Sequence, residues 1–300
     1  MSETTTSKKS SPAFIKWFLF VALALVWGSS FILMKRGLIT YTPAQVAAIR
    51  MVVSFLFLFP FVIGSIKKIP RDKWIFIIIA GLLGNGIPAF LFTKAETGLS
   101  SSIAGILNSL TTVFSLVVGV IFYKMKTTTI KVAGVFLGLA GAVLTVLYNA
   151  KGGIEGNYYY GIYIITACIC YAFNVNIIKT YLGPINSVQL SGFALFGVGP
   201  LTAAYLFSTD FLQRISSGGQ AVTSFLYVVL LGVFGTGVSQ IMFNKLLKTS
   251  SVLFAASITY FIPIVAILWG VLDGESLGWV QIFGFVIVIT GVFLINKRKA

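Results

Sequence analysis

Arg50 is the one charged side chain that falls well inside a long apolar run, about seven residues or ~10 Å along a helix from Pro43. A guanidinium at that depth has two readings. It pairs with the carboxylate of a bound solute, or it places its five donors on helix-end carbonyls or snorkels to the interface. Six amides, Asn85, Asn108, Asn174, Asn176, Gln240 and Asn244, also lie inside apolar runs. A primary amide surrounded by hydrocarbon must find partners, so each is either an interhelical bond or part of a polar cavity wall. As a group they favour a cavity, because Asn85 and Asn108 lie in the first half of the chain and Asn174 in the second. Ser29 and Ser30 are read either with that wall or as small residues that permit close packing. Trp27, Tyr171, Tyr260 and Trp269 sit in mid-run near these polar groups, and lining by them would suit an amphipathic or aromatic solute. The expected solute-binding set is Arg50, Trp27, Ser30, Asn85, Asn108, Tyr171, Asn174, Gln240, Tyr260 and Trp269.

Other chemistries lack their residues. The chain has no His. Cys168 and Cys170 are two apart, roughly 200° around a helix, so they cannot ligate one metal and read as packing thiols. Asp273 and Glu275 are the closest carboxylate pair, but two residues apart in a short turn they read as a solvated loop. No GKS or GKT phosphate loop is present. No catalytic residue, cofactor or metal is therefore expected, and the chain reads as a non-enzyme. No Asp or Glu occupies the centre of a run, and Glu96 and Glu275 fall near the outer surface, where neither suggests proton coupling. A facilitator, an exchanger or coupling through some other group stays open.

The elements that must position these side chains follow from composition. Of 300 residues 57% are hydrophobic and 10% charged, and mean hydropathy is +0.97. That excludes a soluble globular protein and, despite a net charge of +15, a nucleic-acid binder. A helix needs about 20 apolar residues to cross a bilayer. Ten such runs are found, at 14–34, 43–64, 74–93, 102–122, 130–148, 159–178, 187–207, 222–243, 251–272 and 278–295. The fold class expected is an all-α polytopic membrane protein of ten transmembrane helices. The first run, preceded by Lys8 and Lys9, could alternatively be a cleaved signal, but it has a repeat partner and reads as a retained helix.

Loop charge orients the chain. Of the 22 Lys and Arg, sixteen fall in loops and tails of one parity and five in the other, with Arg50 left inside a run. By the positive-inside rule both termini face the cytoplasm.

The chain is also a duplication. Laid over 225–275 without gaps, 74–124 superposes Gly81, Gly84, Gly86 and Gly119 on Gly232, Gly235, Gly237 and Gly270. The two segments hold six and five glycines, so chance supplies fewer than one such coincidence. A second register pairs Trp27 with Tyr171, Ser30 with Asn174, Lys35 with Lys179 and Gln45 with Gln189, and a third pairs Gly134 with Gly284 and Gly141 with Gly291. Five helices per half is an odd number, so the second half enters the membrane inverted, as in alternating-access transporters. The loop carrying Lys124, Lys126 and Lys131 has as its counterpart one carrying Asp273 and Glu275, as inversion requires. The glycines of the third and eighth runs serve either as hinges or as close-packing points. The organisation expected is a cytoplasmic tail (1–13), a first repeat (14–148), a linker (149–158), a second repeat (159–296) and a basic cytoplasmic tail (297–300).

Trp27 to Ser30 followed by Lys35, Arg50 in the second helix, and the Pro263 to Glu275 stretch followed by Gly284 and Gly291 together resemble the EamA-type transporters of the drug/metabolite transporter superfamily. The resemblance covers nearly the whole chain. It implies a bacterial inner-membrane exporter of small organic metabolites, often amino acids or related amphipathic solutes. The halves have diverged: Thr112 stands opposite Pro263, Lys124 opposite Glu275 and Ala194 opposite Arg50. A carrier of phosphorylated sugars or nucleotide sugars is the alternative, and it would need several cations in the cavity. A non-transporting membrane receptor is another. The partners expected are a small-molecule substrate and the lipid bilayer, with no nucleic acid; oligomeric state is not readable.

Overall fold

The computed structural model describes residues 12–147, 159–275 and 278–296. The expected linker, the basic tail and all but residues 12 and 13 of the N-terminal tail lie outside the described residues. Among the described residues every regular element is helical. Eight segments are long and apolar enough to cross a bilayer: α1 (Ala13–Gly37), α2 (Pro43–Lys68), α3 (Arg71–Ala95), α4 (Ser101–Tyr123), α6 (Tyr159–Tyr181), α7 (Ser187–Phe207), α8 (Gln220–Thr249) and α9 (Val252–Leu272). Two further helices, α5 (Thr129–Leu147) and α10 (Trp279–Asn296), carry shorter apolar stretches.

Polar caps fix where several helices begin. Thr42 accepts from the Gln45 amide while Gln45 returns a bond from its side chain to the Thr42 amide, with Pro43 in the first turn of α2. Ser100, Asn186 and Ser251 cap α4, α7 and α9 with a one-way bond, each accepting from a backbone N–H two or three residues on. Each cap satisfies a backbone donor that would otherwise be orphaned near hydrocarbon.

Inside the bundle the helices are interrupted where their polar residues lie. α3 and α8 widen to π-helix at Leu82–Gly86 and Leu231–Val238, around Asn85 and Thr236. α4 breaks at Ser109, next to Asn108, and α9 tightens to a 3-10 turn at Ser257–Tyr260.

Close contacts between the halves come in corresponding pairs. A Cβ on Gly81 would strike the Ala194 carbonyl, and one on Gly232 would lie 3.1 Å from the Arg50 carbonyl. Gly84 abuts the side chain of Asn174, and Gly235 that of Ser30. Gly134 lies on the backbone of Gly291, and Gly141 on that of Gly284, locking α5 to α10. In each pair the two contacts are related by the registers found in the sequence. Lipid tails compete with any apolar side chain for contact, so backbone approach through glycine is what lets these helices associate.

Candidate functional site

The interruptions surround a central cavity of about 100 Å³. α1 contributes Trp27, Ser30, Phe31 and Met34; α2, Arg50; α3, Asn85 and Phe92; α4, Asn108 and Thr111; α6, Tyr171 and Asn174; α8, Gln240 and Phe243; α9, Thr259. Eight of the ten side chains expected from the sequence are thus brought together: Arg50, Trp27, Ser30, Asn85, Asn108, Tyr171, Asn174 and Gln240. Tyr260 instead packs half-buried against the apolar core, one residue from Thr259. Trp269 is 41% exposed on the bundle surface and donates its indole N–H to Ser29 Oγ at 2.8 Å.

Arg50 is held by one bond. Its Nε donates to Thr236 Oγ1 at 2.6 Å, and among the described residues its two Nη groups have no hydrogen-bond partner. Thr236 was not singled out from the sequence, although it stands between Gly235 and Gly237 as Asn85 stands between Gly84 and Gly86, and that correspondence marks it. Asn85 Nδ2 and Asn174 Oδ1 are also buried without a partner among the described residues. A buried donor or acceptor left unpaired costs about 1–3 kcal/mol, so such atoms in a cavity wall mark where a ligand's polar groups fit. Asn176 and Asn244 lie away from the cavity: the first donates to the Ser115 and Ala172 carbonyls, and the second donates to Ser191 Oγ while its Oδ1 is buried without a partner among the described residues. The apolar part of the wall is aromatic. Trp27 packs on Phe243 with ring centroids 5.1 Å apart, its N–H anchored on Ser239 Oγ and the Gly235 carbonyl, and Phe92 lies between Phe31 and Tyr171.

The two ends of the cavity are tied differently, one across the halves and the other within the second half. At one end Lys35, two residues from the end of α1, pairs with Asp273 at 2.6 Å and Glu275 at 2.9 Å, while Arg36 also pairs with Asp273. Glu275 in turn accepts from the Ser101 and Ser102 amides and from Ser102 Oγ, neutralising the positive N-terminus of α4. These acids are not a solvated loop: they are largely buried and tie the end of α1 to the segment beyond α9. The hydrogen bond from Lys35 holds the Asp273 carboxyl below its usual range. Burial works to raise Glu275, but the bonds from Lys35 and Ser102 outweigh it and hold this carboxyl low as well. A second layer at the same end joins Asp210 to Gln45 and Arg214, with Arg214 also donating to the Thr40 carbonyl. At the opposite end Lys179 alone caps the carbonyls of Leu247 and Ser250, where α8 ends.

An Arg-bearing cavity in the middle of a polytopic bundle fits the family whose pattern this sequence carries. The model of the EamA-like transporter family matches residues 15–147 and again 159–297. The chain belongs to the EamA-like transporter family. It is a multi-pass membrane transporter. Among its relatives, this EamA-like chain is 25% identical to the uncharacterized inner membrane transporter YedA of Escherichia coli K12, over 93% of this chain and 89% of that one. It is 22% identical to a probable amino-acid metabolite efflux pump of Salmonella typhimurium LT2, over 92% and 93% of the two chains. A protein of known crystal structure shares its fold, with a TM-score of 0.67 at 17% identity over 95% of this chain and 97% of that one.

Proposed function

We propose that this transporter exports small metabolites bearing a carboxylate, most simply amino acids and related amphipathic solutes, by alternating access between two inverted five-helix halves. The observation that carries the reading is the cavity itself: a guanidinium with two unpartnered Nη groups, next to an amide donor on Asn85 and an amide acceptor on Asn174, beside aromatic rings. A carboxylate seats on Arg50 and Asn85, an ammonium on Asn174, and a side chain against Phe31, Phe92 and Tyr171. A cavity of about 100 Å³ suits a solute of that size better than a nucleotide sugar. Arg50 is also the sole cation in the wall, and Lys94 and Lys245 point outward, so a phosphate dianion would lack counter-charge.

The paired contacts through Gly81 and Gly232, Gly84 and Gly235, and Gly134 and Gly291 support an internal two-fold relation between the halves, since each contact recurs with the roles exchanged. The charge distribution supports cytoplasmic termini, which makes the Lys35 end the outer one. The printed function of the Salmonella relative supports amino-acid solutes. Purified protein in liposomes loaded with a panel of labelled amino acids should release at least one of them faster than protein-free vesicles, and Arg50→Ala should abolish the difference. No release across the panel by folded protein overturns the amino-acid reading.

A further inference from the structure

Glu96 is the first residue beyond α3. Both of its carboxylate oxygens are buried with no hydrogen-bond partner among the described residues, although the residue as a whole is partly exposed, so the exposure belongs to its backbone and stem. The other described carboxylates, Asp72, Asp210, Asp273 and Glu275, each have an ion-pair partner. Charges reach Glu96 from three sides: Arg50 on α2, Lys35 on α1, and Glu275 beyond α9. From α6, which packs along this end of α3, come the titratable groups Tyr160, Tyr163, Cys168 and Tyr171; Tyr160 lies against Gly98 and Tyr171 against Phe92. On its own segment Lys94 is exposed, and beyond α9 Asp273 is engaged by Lys35 and Arg36. None of these donates a hydrogen bond to Glu96.

A carboxylate without donors or water is far costlier to bury than the neutral acid. Burial, with the Glu275 charge added, pushes the Glu96 carboxyl well above the usual carboxylate range against the pull of Lys35 and Arg50. Lys35 and Glu275, whose charges both reach Glu96, are the pair that ties α1 to the segment beyond α9, and a closed form of this end keeps that tie intact.

We propose that Glu96 is a proton-binding site coupled to that closure: a carboxylate oxygen takes one proton from the adjoining water as the Lys35 end closes and returns it when the end opens. The group whose affinity for a proton is raised in the closed form favours closure at low pH and loses that preference as pH rises. Asp273 and Glu275 act in the opposite sense, because their tie to Lys35 fails when acid protonates them. Glu96 thus supplies the coupling group that the sequence did not reveal, and it does so whichever solute the cavity carries.

The test needs no solute. Spin labels at Ile39 and Leu272, both exposed and flanking the Lys35–Asp273 pair, report the opening of this end in lipid nanodiscs by pulsed electron resonance. With one proton linked to closure, the ratio of open to closed populations should rise by up to about tenfold per pH unit on the alkaline side. Glu96→Gln should flatten that rise and stay closed. Glu96→Asp, which keeps a titrating carboxyl, should retain the slope with a shifted midpoint, and it serves also if the Gln variant does not fold. A flat wild-type profile, an unchanged slope in Glu96→Gln or an unmoved midpoint in Glu96→Asp overturns the proposal.

Discussion

Replacing Glu275 by Gln tests whether the Lys35 end is a gate. In the closed form Glu275 accepts from the Ser101 and Ser102 amides, from Ser102 Oγ and from Lys35. Gln has nearly the same shape but one acceptor oxygen, and its NH₂ must face donors. Whichever oxygen is replaced, two of the four bonds are lost, at about 1.5–3 kcal/mol each, and the other two lose the carboxylate charge. The favourable charge at the α4 N-terminus, worth about 0.3–1 kcal/mol, goes too. Lys35 is 40% exposed against 8% for Glu275, so its share of the pair is screened and the sum is discounted to about 3 kcal/mol. Both forms are folded, so this cost falls on the balance between open and closed states rather than on unfolding. It corresponds to about a 100-fold gain in open population. The assay is labelling by a membrane-impermeant maleimide at Phe31→Cys, a cavity position, with Cys168 and Cys170 replaced by Ser. Glu275→Gln should label about 100-fold faster in folded protein, Lys35→Met should do much the same, and the double variant should add little to either. Equal labelling rates in the parent and a folded Glu275→Gln would refute the gate.

Three further outcomes follow from the same geometry. Arg50→Lys keeps the charge but loses the planar fork, and with it about 1.5–3 kcal/mol of binding; KM for a carboxylate solute should rise about 10- to 100-fold in liposome flux with little change in thermal stability. Gly81→Ala drives a methyl into the Ala194 carbonyl and should lower stability by about 1–3 kcal/mol in thermal unfolding, whereas Gly64→Ala, with open space around it, should be neutral. Acid should loosen the Lys35 end: the carboxyls of Asp273 and Glu275 are held low in the closed form, so their contribution is complete above the usual carboxylate range and fades as pH falls through the depressed values. Maleimide labelling at Phe31→Cys should therefore accelerate below about pH 4, unlike Glu275→Gln, whose rate should change less.

The helical architecture was legible because apolar runs long enough to span a bilayer leave few alternatives. Most of the cavity was legible for a related reason: polar side chains are rare in hydrocarbon, so Arg50, Asn85, Asn108, Asn174 and Gln240 stand out by type alone. Aromatics carry no such signal. Trp27 and Tyr171 face the cavity and Trp269 the surface, although all three fall within apolar runs. Tyr260 missed because a 3-10 turn at Ser257–Tyr260 presents Thr259 instead, and that change of winding is invisible in helical periodicity. Glu96 and Glu275 were read as surface groups from their distance along the chain. Their burial depends on how α1, α4 and the α9 end fold over them, which is tertiary information.

The α5–α10 contact has a consequence for how the molecule is made. Gly134, Gly138 and Gly141 offer their glycine face to a helix that the ribosome delivers only after everything between them has entered the membrane. Until α10 arrives, that face has lipid where backbone should be, and the first half waits as an unfinished product. This is a closure of very long sequence separation, slow to form by nature. Assembly in the bilayer thus ends with one late docking step, and a chain arrested short of it is the form most exposed to misassembly and degradation.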